Sequence, residues 1–204
     1  MSVVDAPQIL LLGGASGTGK TTVANALVQE LGLAHHISTG FVREVARAMM
    51  PADRAHLLEG FTFDAWRLFP EIAGNGHRVF DGALAQAEVL LPAVKACISR
   101  SVREGASLIV EGAHMLPGLL SGADLDVSLF CILDVPDRDT LVERAMGQTH
   151  SRRHLSQEQI AGIIELQDAC VERARRAGIP VIENLELADT VKRIRSMVVG
   201  EVDN

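Results

Sequence analysis

The stretch that decides the fold is LLLGGASGTGKTT, residues 10–22. Its spacing from Gly14 to Lys20 and Thr21 fits G-x-x-x-x-G-K-[ST], the pattern of the phosphate-binding loop of P-loop proteins. A short apolar run over residues 8–12 precedes the loop, as in a strand buried on both faces, and helical apolar spacing follows it. A strand, a glycine-rich loop and a helix in this order predict a phosphate-binding loop rather than an ordinary glycine-rich turn.

The residue types of this loop suit the binding of a nucleotide. Glycine permits backbone torsions that turn successive N–H groups inward towards phosphate oxygens, and the positive end of the helix dipole lies at the same place. The Lys20 ammonium would reach the β- and γ-phosphates, and the Thr21 hydroxyl would ligate Mg²⁺. The predicted nucleotide-binding residues are Gly14, Ala15, Ser16, Gly17, Thr18, Gly19, Lys20, Thr21 and Thr22.

Composition limits the class of protein. A chain of 204 residues, 48% of them hydrophobic, predicts a single α/β domain over residues 1–204 with room for a small lid. The net charge of −7 argues against nucleic-acid and acidic-membrane partners, so that selectivity for anions must come from local arginines and lysines. No signal peptide or membrane-spanning stretch is evident, which predicts a cytoplasmic protein. Cys97, Cys131 and Cys170 are far apart and predict buried, inert thiols.

Short apolar runs alternate with helical patterns along the chain, which predicts a doubly wound domain with a five-stranded parallel sheet. The predicted strands cover residues 8–12, 34–38, 107–110, 127–133 and 179–182. The predicted helices cover residues 21–31, 41–49, 79–103, a segment that starts near Pro136, a segment from the S-x-x-Q capping box at Ser156 to Gly178, and 187–199. Pro92 is expected to kink or break the long third helix.

Glu111 is the candidate for the acidic group that phosphoryl transfer requires beside the loop. It follows a predicted strand, where open parallel sheets bind their ligands. Its carboxylate would either hold Mg²⁺ together with Thr21, directly or through water, or accept the proton of the acceptor hydroxyl. The alternative is an ordinary acid that faces solvent.

Three further residues are candidates for binding an anionic small-molecule acceptor across the cleft. Thr39 and Arg43 follow the second predicted strand, so that the Arg43 guanidinium would clamp an acceptor phosphate or carboxylate. His114 lies in the turn after Glu111 and would hydrogen-bond the acceptor. The alternatives are a solvated helix arginine and a solvated loop histidine.

Arginines bracket the polar segment GQTHS, residues 147–151, and predict a small lid over about residues 145–155. Closure of such a lid would bring arginines to the migrating phosphoryl group and exclude water. The alternative is a charged surface loop. The predicted catalytic residues are Lys20, Glu111, Arg144, Arg152 and Arg153.

The aromatic stretch FTFDAWRLF, residues 61–69, holds the only tryptophan of the chain. It predicts either helical packing in the core, which is the ordinary role of such a cluster, or a wall of the acceptor pocket. Asp64 within it is a further candidate for acceptor contact.

Four blocks of the sequence resemble the 2-phosphoglycerate kinase family of P-loop kinases. They are GGASGTGKTTVANAL, HISTGFVREVAR, LLPAVKACISRSVREGASLIVEGAHMLPGLL and IIELQDACVERARRAGIPVIEN, and together they sample almost the whole chain. The third block, with its E-G-x-H turn, is the most specific, because many families share the loop alone.

The resemblance implies a kinase-type P-loop core, ATP and Mg²⁺ as cosubstrates, and phosphorylation of a small phosphorylated hydroxy acid such as 2-phosphoglycerate. Lys20 and Thr21 match the loop positions of the family. The matching positions on the acceptor side are Thr39, Arg43, Glu111 and His114. The matching positions in the lid are Arg144, Arg152 and Arg153.

One position departs from the family. Its second-strand motif usually carries an aspartate after Ser-Thr, whereas this chain has Gly40, so that a different acceptor is an open alternative. The segment HISTG also resembles a sequence segment of adenylate kinases, but Arg43 comes one residue too early for their pattern. The extra N-terminal domain of the archaeal members has no counterpart in this sequence.

Two other functions would use the same loop. A nucleotide-dependent switch or binding module is one, although no N-K-x-D guanine-reading motif is present. A toxin-like kinase of a nucleotide sugar is the other; it would tolerate Gly40 but fits the E-G-x-H block less well. The oligomeric state is left open by the sequence.

Overall fold

One parallel sheet organises the described part of the chain. The structure, a computed structural model, describes residues 6–72, 76–120, 127–147 and 155–200. The strands are β1 (Ile9–Gly13), β2 (His35–Ser38), β3 (Leu108–Glu111), β4 (Leu129–Asp134) and β5 (Val181–Glu183). They pair in the order β2-β3-β1-β4-β5, and every pair is parallel. The predicted doubly wound α/β fold with a five-stranded parallel sheet is confirmed.

Helices connect the strands and cover the sheet. Those within the described residues are α1 (Lys20–Leu31), α2 (Thr39–Met49), α3 (Ala52–Ala55), α4 (Arg78–Glu104), α5 (Arg138–Met146), α6 (Gln157–Arg176) and α7 (Leu187–Val199). Two short 3₁₀ helices, His56–Leu58 and Thr62–Leu68, lie between α3 and α4. The capping box predicted for α6 is present, because Ser156 accepts a hydrogen bond from the Gln159 N–H and the Gln159 side chain accepts one from the Ser156 N–H.

The alternation of side chains along the strands divides the core into two layers. Ile9 and Leu11 of β1 pack in the layer that contains α4, α5 and α6, whereas Leu10 and Leu12 pack in the layer that contains α1 and α7. None of these four side chains is more than 1% exposed. Because helices cover both faces of the sheet, polar groups of the strands reach a ligand only at the strand ends.

The carboxyl ends of the central strands meet at one edge of the sheet. β1 lies between β3 and β4, so that the strand order reverses there, as at the ligand-binding crevice of other open α/β sheets. Leu12 pairs with Glu111, and Glu111 in turn pairs with Ser38 at the end of β2. The loop after β1 therefore begins beside the residues that end β2 and β3.

Four of the five strands extend one residue beyond the end that hydropathy predicted. The added residues are Gly13, Glu111, Asp134 and Glu183. Hydropathy excludes them because they carry no apolar side chain, but the backbone ladder continues through them, for example from Asp134 to Glu183. Strand pairing thus brings polar residues into the edge where the site lies.

Helix α4 is continuous through Pro92, which excludes a break, the second of the two predicted alternatives; the kink stays a prediction. Pro92 lies on the exposed face of the helix. By length and composition α4 is also apolar enough to cross a membrane. Its apolar residues Leu90, Val94 and Ile98 are buried in the protein core, however, which accounts for its hydropathy.

Two of the three cysteines have the character that the sequence predicted. Cys131 and Cys170 are fully buried, and burial raises the pKa of each thiol to about 12. Cys97 is only partly buried. At neutral pH the two buried thiols are therefore protonated and poorly nucleophilic.

Helix α4 packs closely on the 3₁₀ helix Thr62–Leu68 at Gly82. A Cβ at Gly82 would lie 2.3 Å from the backbone N and Cα of Trp66. The guanidinium groups of Arg67 and Arg78 lie over the Trp66 ring, 4.4 and 4.3 Å from its centroid. The aromatic stretch is thus part of the core packing, the first of its two predicted roles.

Gly82→Ala should destabilise the protein, although alanine normally favours a helix. The methyl group would overlap the Trp66 backbone, and overpacking of this kind costs about 1–3 kcal/mol of unfolding free energy. Gly40→Ala in α2 is the matched control, because a Cβ there would meet only Ser38 Oγ, at 3.6 Å. Its helix propensity should raise the unfolding free energy by up to about 1 kcal/mol. Urea unfolding measures the unfolding free energy of both variants. A change of the same sign in the two variants would contradict this packing.

Candidate active site

The phosphate loop between β1 and α1 requires glycine at three positions. Gly14, Gly17 and Gly19 have φ angles of 132°, 90° and 83°, a region that other residues rarely adopt. Neighbouring atoms also leave no room for a side chain. A Cβ on Gly17 would lie 2.2 Å from the Leu141 carbonyl oxygen, and a Cβ on Gly19 would lie 2.4 Å from Asn184 Nδ2. The predicted loop is therefore a tightly packed turn into α1.

Two buried side-chain amides hold the loop, and neither was predicted. Gln167 of α6 is fully buried, accepts a hydrogen bond from the Ala15 N–H at 2.8 Å and donates one to the Leu133 carbonyl at 3.0 Å. Asn184, just after β5, donates to the Thr18 carbonyl at 2.8 Å. In the sequence, Gln167 could have been recognised by its position within the apolar stripe of α6, because a buried polar residue needs a hydrogen-bond partner. The loop is thus fixed by contacts with two distant parts of the chain.

Lys20 begins α1 and lies against the loop. It is 8% exposed, and its Nζ donates to the Ala15 carbonyl at 2.8 Å and to Thr18 Oγ1 at 3.3 Å. Burial lowers the pKa of Lys20 below its ordinary value of 10.5, and the Glu111 carboxylate partly opposes this shift. Because both oxygens are neutral, a phosphate would be a stronger partner for the ammonium.

Thr21 and Glu111, the predicted metal-binding pair, are brought together. Thr21 Oγ1 donates to Glu111 Oε1 at 3.1 Å, and Glu111 is 2% exposed at the end of β3. Within the described residues, no group of three or more His, Cys, Asp or Glu side chains could hold a metal by itself. Mg²⁺ usually binds one or two protein oxygens and keeps waters and phosphate oxygens as its other ligands. The hydroxyl and carboxylate therefore fit the predicted Mg²⁺ site.

Thr39 and His114 are buried and contact each other. They are 0% and 3% exposed, and Thr39 Oγ1 lies 3.0 Å from His114 Nδ1. The other ring nitrogen, Nε2, lies 3.2 Å from Gln86 Oε1 and 3.4 Å from Thr62 Oγ1. These bonds give both side chains partners within the protein, and their predicted contacts with an acceptor stay predictions. The pair joins the start of α2 to the turn after β3.

The imidazole of His114 is neutral. Burial lowers its pKa from 6.5 to about 3, and the positive charges of Arg43 and Lys20 act in the same direction. The solvated histidine considered above is therefore excluded.

Arg43 carries a buried donor that lacks a partner. Its Nη1 donates to the Gly60 carbonyl and its Nη2 to Glu44 Oε1 at 2.8 Å. Its Nε is buried and has no hydrogen-bond partner, although the side chain as a whole is 18% exposed. A buried N–H without a partner costs free energy. The partly exposed guanidinium end, rather than the buried Nε, is the part of Arg43 that an acceptor could reach, and its predicted role stays a prediction.

A second buried nitrogen, in the described part of the chain, also lacks a hydrogen-bond partner. It is His36 Nε2 on β2, which lies 3.9 Å from Glu111 Oε1. The other ring nitrogen of His36 lies 3.0 Å from Asn25 Oδ1. His36 thus lies beside the carboxylate of Glu111, a contact that the sequence did not reveal.

Arg144 lies on the opposite side of β1 from Glu111, next to β5. Its guanidinium donates to the carbonyls of Asn184 at 2.8 Å and Leu185 at 3.4 Å, and so holds the loop after β5. Arg152 and Arg153 lie outside the described residues, as does most of the predicted lid. The catalytic roles of the three arginines therefore remain predictions.

Asp64 fastens the 3₁₀ helix Thr62–Leu68 to the start of α6. It accepts a hydrogen bond from Gln159 Nε2 at 2.9 Å, and Arg67 pairs with Glu158 at 2.6 Å. These contacts give Asp64 a structural partner, and its contact with an acceptor stays a prediction.

His114→Gln should weaken the dependence of stability on pH in the acid range. In the native protein His114 binds no proton until the pH falls to about 3, whereas the unfolded chain binds one below its ordinary pKa of 6.5. Stability is therefore complete above about pH 6.5 and is lost as the pH falls towards 3, by up to about 1.4 kcal/mol per pH unit. The variant should have a lower unfolding free energy near neutral pH but a flatter decline. Urea unfolding from about pH 7 to pH 5 tests this, and parallel declines would contradict a buried neutral imidazole.

Curated relatives similar to this chain are 2-phosphoglycerate kinases of archaea. The Pyrococcus furiosus protein is 32% identical over 193 residues, which cover 92% of this chain and 63% of that protein. The Methanocaldococcus jannaschii protein is 33% identical over 94% of this chain and 63% of its own length. The Thermococcus kodakarensis protein is 34% identical over 91% and 64%. The chain thus spans somewhat less than two thirds of the length of these relatives.

Solved structures are similar to the fold. Shikimate kinase from Acinetobacter baumannii, in complex with shikimate, superposes with a TM-score of 0.55 at 15% identity and covers 98% of this chain and 97% of its own. A Thermus thermophilus protein of known crystal structure superposes with a TM-score of 0.52 at 24% identity and covers 98% of this chain and 100% of its own. No protein-family profile matches the chain. The resemblance to the 2-phosphoglycerate kinase family is thereby confirmed over nearly the whole of this chain, and its fold is that of a P-loop kinase.

Proposed function

We propose that this chain is an ATP-dependent kinase that phosphorylates a hydroxyl of a small anionic acid, with 2-phosphoglycerate as the first candidate. One observation carries the proposal. The phosphate loop, the Thr21–Glu111 pair and the partly exposed guanidinium of Arg43 all lie near the carboxyl ends of β1, β2 and β3. The names of the archaeal relatives support the choice of acceptor.

The donor side follows from the loop. Its backbone N–H groups and the Lys20 ammonium would bind the β- and γ-phosphates of ATP, with Lys20 exchanging the Ala15 carbonyl for phosphate oxygens. Bound Mg²⁺ would neutralise charge on these phosphates, with Thr21 as a ligand and Glu111 as a direct or water-mediated one. The preference for ATP over GTP rests on the relatives alone.

The transfer itself is a displacement at phosphorus. The acceptor hydroxyl oxygen bonds to the γ-phosphorus while the bond to the β–γ bridging oxygen breaks, which releases ADP. The hydroxyl proton passes to the Glu111 carboxylate, or to solvent if Glu111 acts only on the metal. Arg43 binds the anionic group of the acceptor and so aligns its hydroxyl with the γ-phosphorus. The lid arginines Arg152 and Arg153 would stabilise charge on the migrating group.

The identity of the acceptor is the least constrained part of this proposal, because the chain has Gly40 where the family usually has an aspartate. A Cβ at this exposed position would meet only Ser38 Oγ, at 3.6 Å, so that the backbone leaves room for the first atom of a side chain such as the aspartate usual in the family. Its absence removes a base or metal contact from the acceptor side. An acid other than 2-phosphoglycerate is therefore the alternative within the same reaction class.

ADP release with ATP and Mg²⁺ should rise on addition of one small acid. The panel is 2-phosphoglycerate, 3-phosphoglycerate and glycerate, with nucleotides, nucleotide sugars and sugar phosphates as controls. Lys20→Ala should reduce turnover at least about a hundredfold, because it removes the ammonium that contacts the γ-phosphate. Its circular dichroism and melting temperature should stay close to those of the wild type, since the loop remains held by Gln167 and Asn184.

Each result separates the candidate functions. Stimulation by 2-phosphoglycerate supports the acceptor named here, and stimulation by another acid keeps the kinase but changes its acceptor. Stimulation by a nucleotide sugar would favour the toxin-like kinase. Slow hydrolysis that no acceptor changes would favour a nucleotide-dependent switch, and full activity of Lys20→Ala would overturn the loop assignment.

Arg43→Ala should raise the acceptor KM by about 10- to 100-fold, which corresponds to the loss of hydrogen bonds to a charged group. The KM for ATP should change little. Arg47→Ala is the matched control, because Arg47 lies on the same helix, also pairs with Glu44 and is more exposed, at 42% against 18%. Steady-state kinetics of both variants test the placement. Equal increases in the two KM values, or equal effects of the two substitutions, would contradict it.

A further inference from the structure

Gln86 of α4 is a buried amide to which the proposed reaction gives no role. It is 0% exposed, and its Nε2 donates to the carbonyls of Glu59 at 3.0 Å and Leu57 at 3.4 Å. Its Oε1 lies 3.2 Å from His114 Nε2. Burial of an amide is costly unless its donors and acceptor are bonded. Both ends of the Gln86 amide are bonded here, so the amide fixes the positions of the groups around it.

The two backbone carbonyls determine which way the amide points. Carbonyl oxygens only accept, so the NH₂ end of Gln86 must face Glu59 and Leu57, and its oxygen must face His114. That oxygen also only accepts, so His114 Nε2 carries the ring proton. Because the imidazole is neutral, Nδ1 has none, and the Thr39 hydroxyl donates to it. The amide of Gln86 thus sets the direction of each hydrogen bond in this group.

The same segment also orients Arg43. Gln86 donates to the carbonyl of Glu59, and Arg43 donates to the next carbonyl, that of Gly60. Gly60 has a φ of 70°, which fixes the turn of the chain between these two bonds to a conformation that suits glycine. The position of Arg43 therefore depends on a peptide segment that Gln86 holds against α4.

We propose that Gln86 is the positioning residue of the acceptor side, which it serves by fixing the tautomer of His114 and the carbonyl segment that orients Arg43. Gln86 itself has no role in contacting substrate, because its amide is fully buried and already bonded at both ends. The effect of Gln86 on the kinetics rests on the proposed function. The tautomer of His114 is independent of that function.

Gln167 provides a matched control on the donor side. It is the same residue type, is equally buried and lies on another long helix, but it holds the Ala15 N–H of the phosphate loop. It also donates to Leu133 and Asp134. Methionine at either position keeps the length of the side chain and removes its hydrogen bonds.

Gln86→Met should raise the acceptor KM by about tenfold and leave the KM for ATP within about twofold, because the misplaced group is Arg43. Gln167→Met should raise the KM for ATP by about tenfold and leave the acceptor KM within about twofold. The acceptor used is the acid of the panel that stimulates ADP release. Thermal unfolding measures the loss of stability in each variant. The two losses should be similar, because each substitution leaves buried polar groups without a hydrogen-bond partner.

The ¹⁵N chemical shifts of the His114 ring give a readout that does not need turnover. A protonated and an unprotonated ring nitrogen differ strongly in shift, and comparison with His114→Gln identifies the signal among the seven histidines. The wild type should show a proton on Nε2 and none on Nδ1. In Gln86→Met this single tautomer should give way to a mixture, whereas Gln167→Met should retain it.

These readouts separate failure of this inference from failure of the proposed function. A proton on Nδ1 in the wild type, or an unchanged tautomer in Gln86→Met, would overturn the inference whatever the activity. Equal increases of both KM values in Gln86→Met would also overturn it, because they would indicate general loosening. If no acid stimulates ADP release while the tautomer shifts as expected, the hydrogen-bond arrangement stands and the proposed function fails.

Discussion

An ammonium group held away from water is the constraint on which the site depends. Lys20 is 8% exposed and donates to the neutral oxygens of Ala15 and Thr18, and its burial lowers its pKa although the Glu111 carboxylate opposes this shift. Such a cation gains most from a nearby anion. Gln167 and Asn184 keep the loop in place from α6 and from the end of β5. The loop is thus prepared before a phosphate arrives, so that binding exchanges one partner for another and requires little ordering of the chain.

The two sides of the cleft use different chemistry for the same purpose. The donor side combines the Lys20 ammonium with backbone groups and glycine torsions, whereas the proposed acceptor side carries the Arg43 guanidinium, which bonds to Glu44 and to the Gly60 carbonyl. Because His114 is uncharged, it adds no positive charge beside Arg43. The Thr39–His114 bond instead fixes the start of α2, the helix that carries Arg43. Of these two side chains, Arg43 alone therefore carries a charge.

The parts of the fold and site that could be predicted were those encoded locally. The phosphate loop has its own spacing, and Glu111 was found because parallel strands place their last residues at one edge. The burial of Thr39 and His114 could not be predicted, because α4 and the 3₁₀ helix before it cover them from elsewhere in the chain. Gln86 was visible only as a polar residue in an apolar stripe, since its partners include backbone carbonyls, which have no sequence signature. The strand ends were missed because hydropathy follows side chains and not the backbone ladder.

The glycines divide the site into a part that tolerates change and a part that does not. A methyl group at Gly14, Gly17 or Gly19 would overlap neighbouring atoms, whereas Gly40 has space around it. Mutational drift is therefore restricted at the loop glycines and permitted at position 40. Descendants of one such chain could accept side chains at position 40 with little loss of folding. Sequences within such a lineage should diverge faster at position 40 than at the three loop glycines.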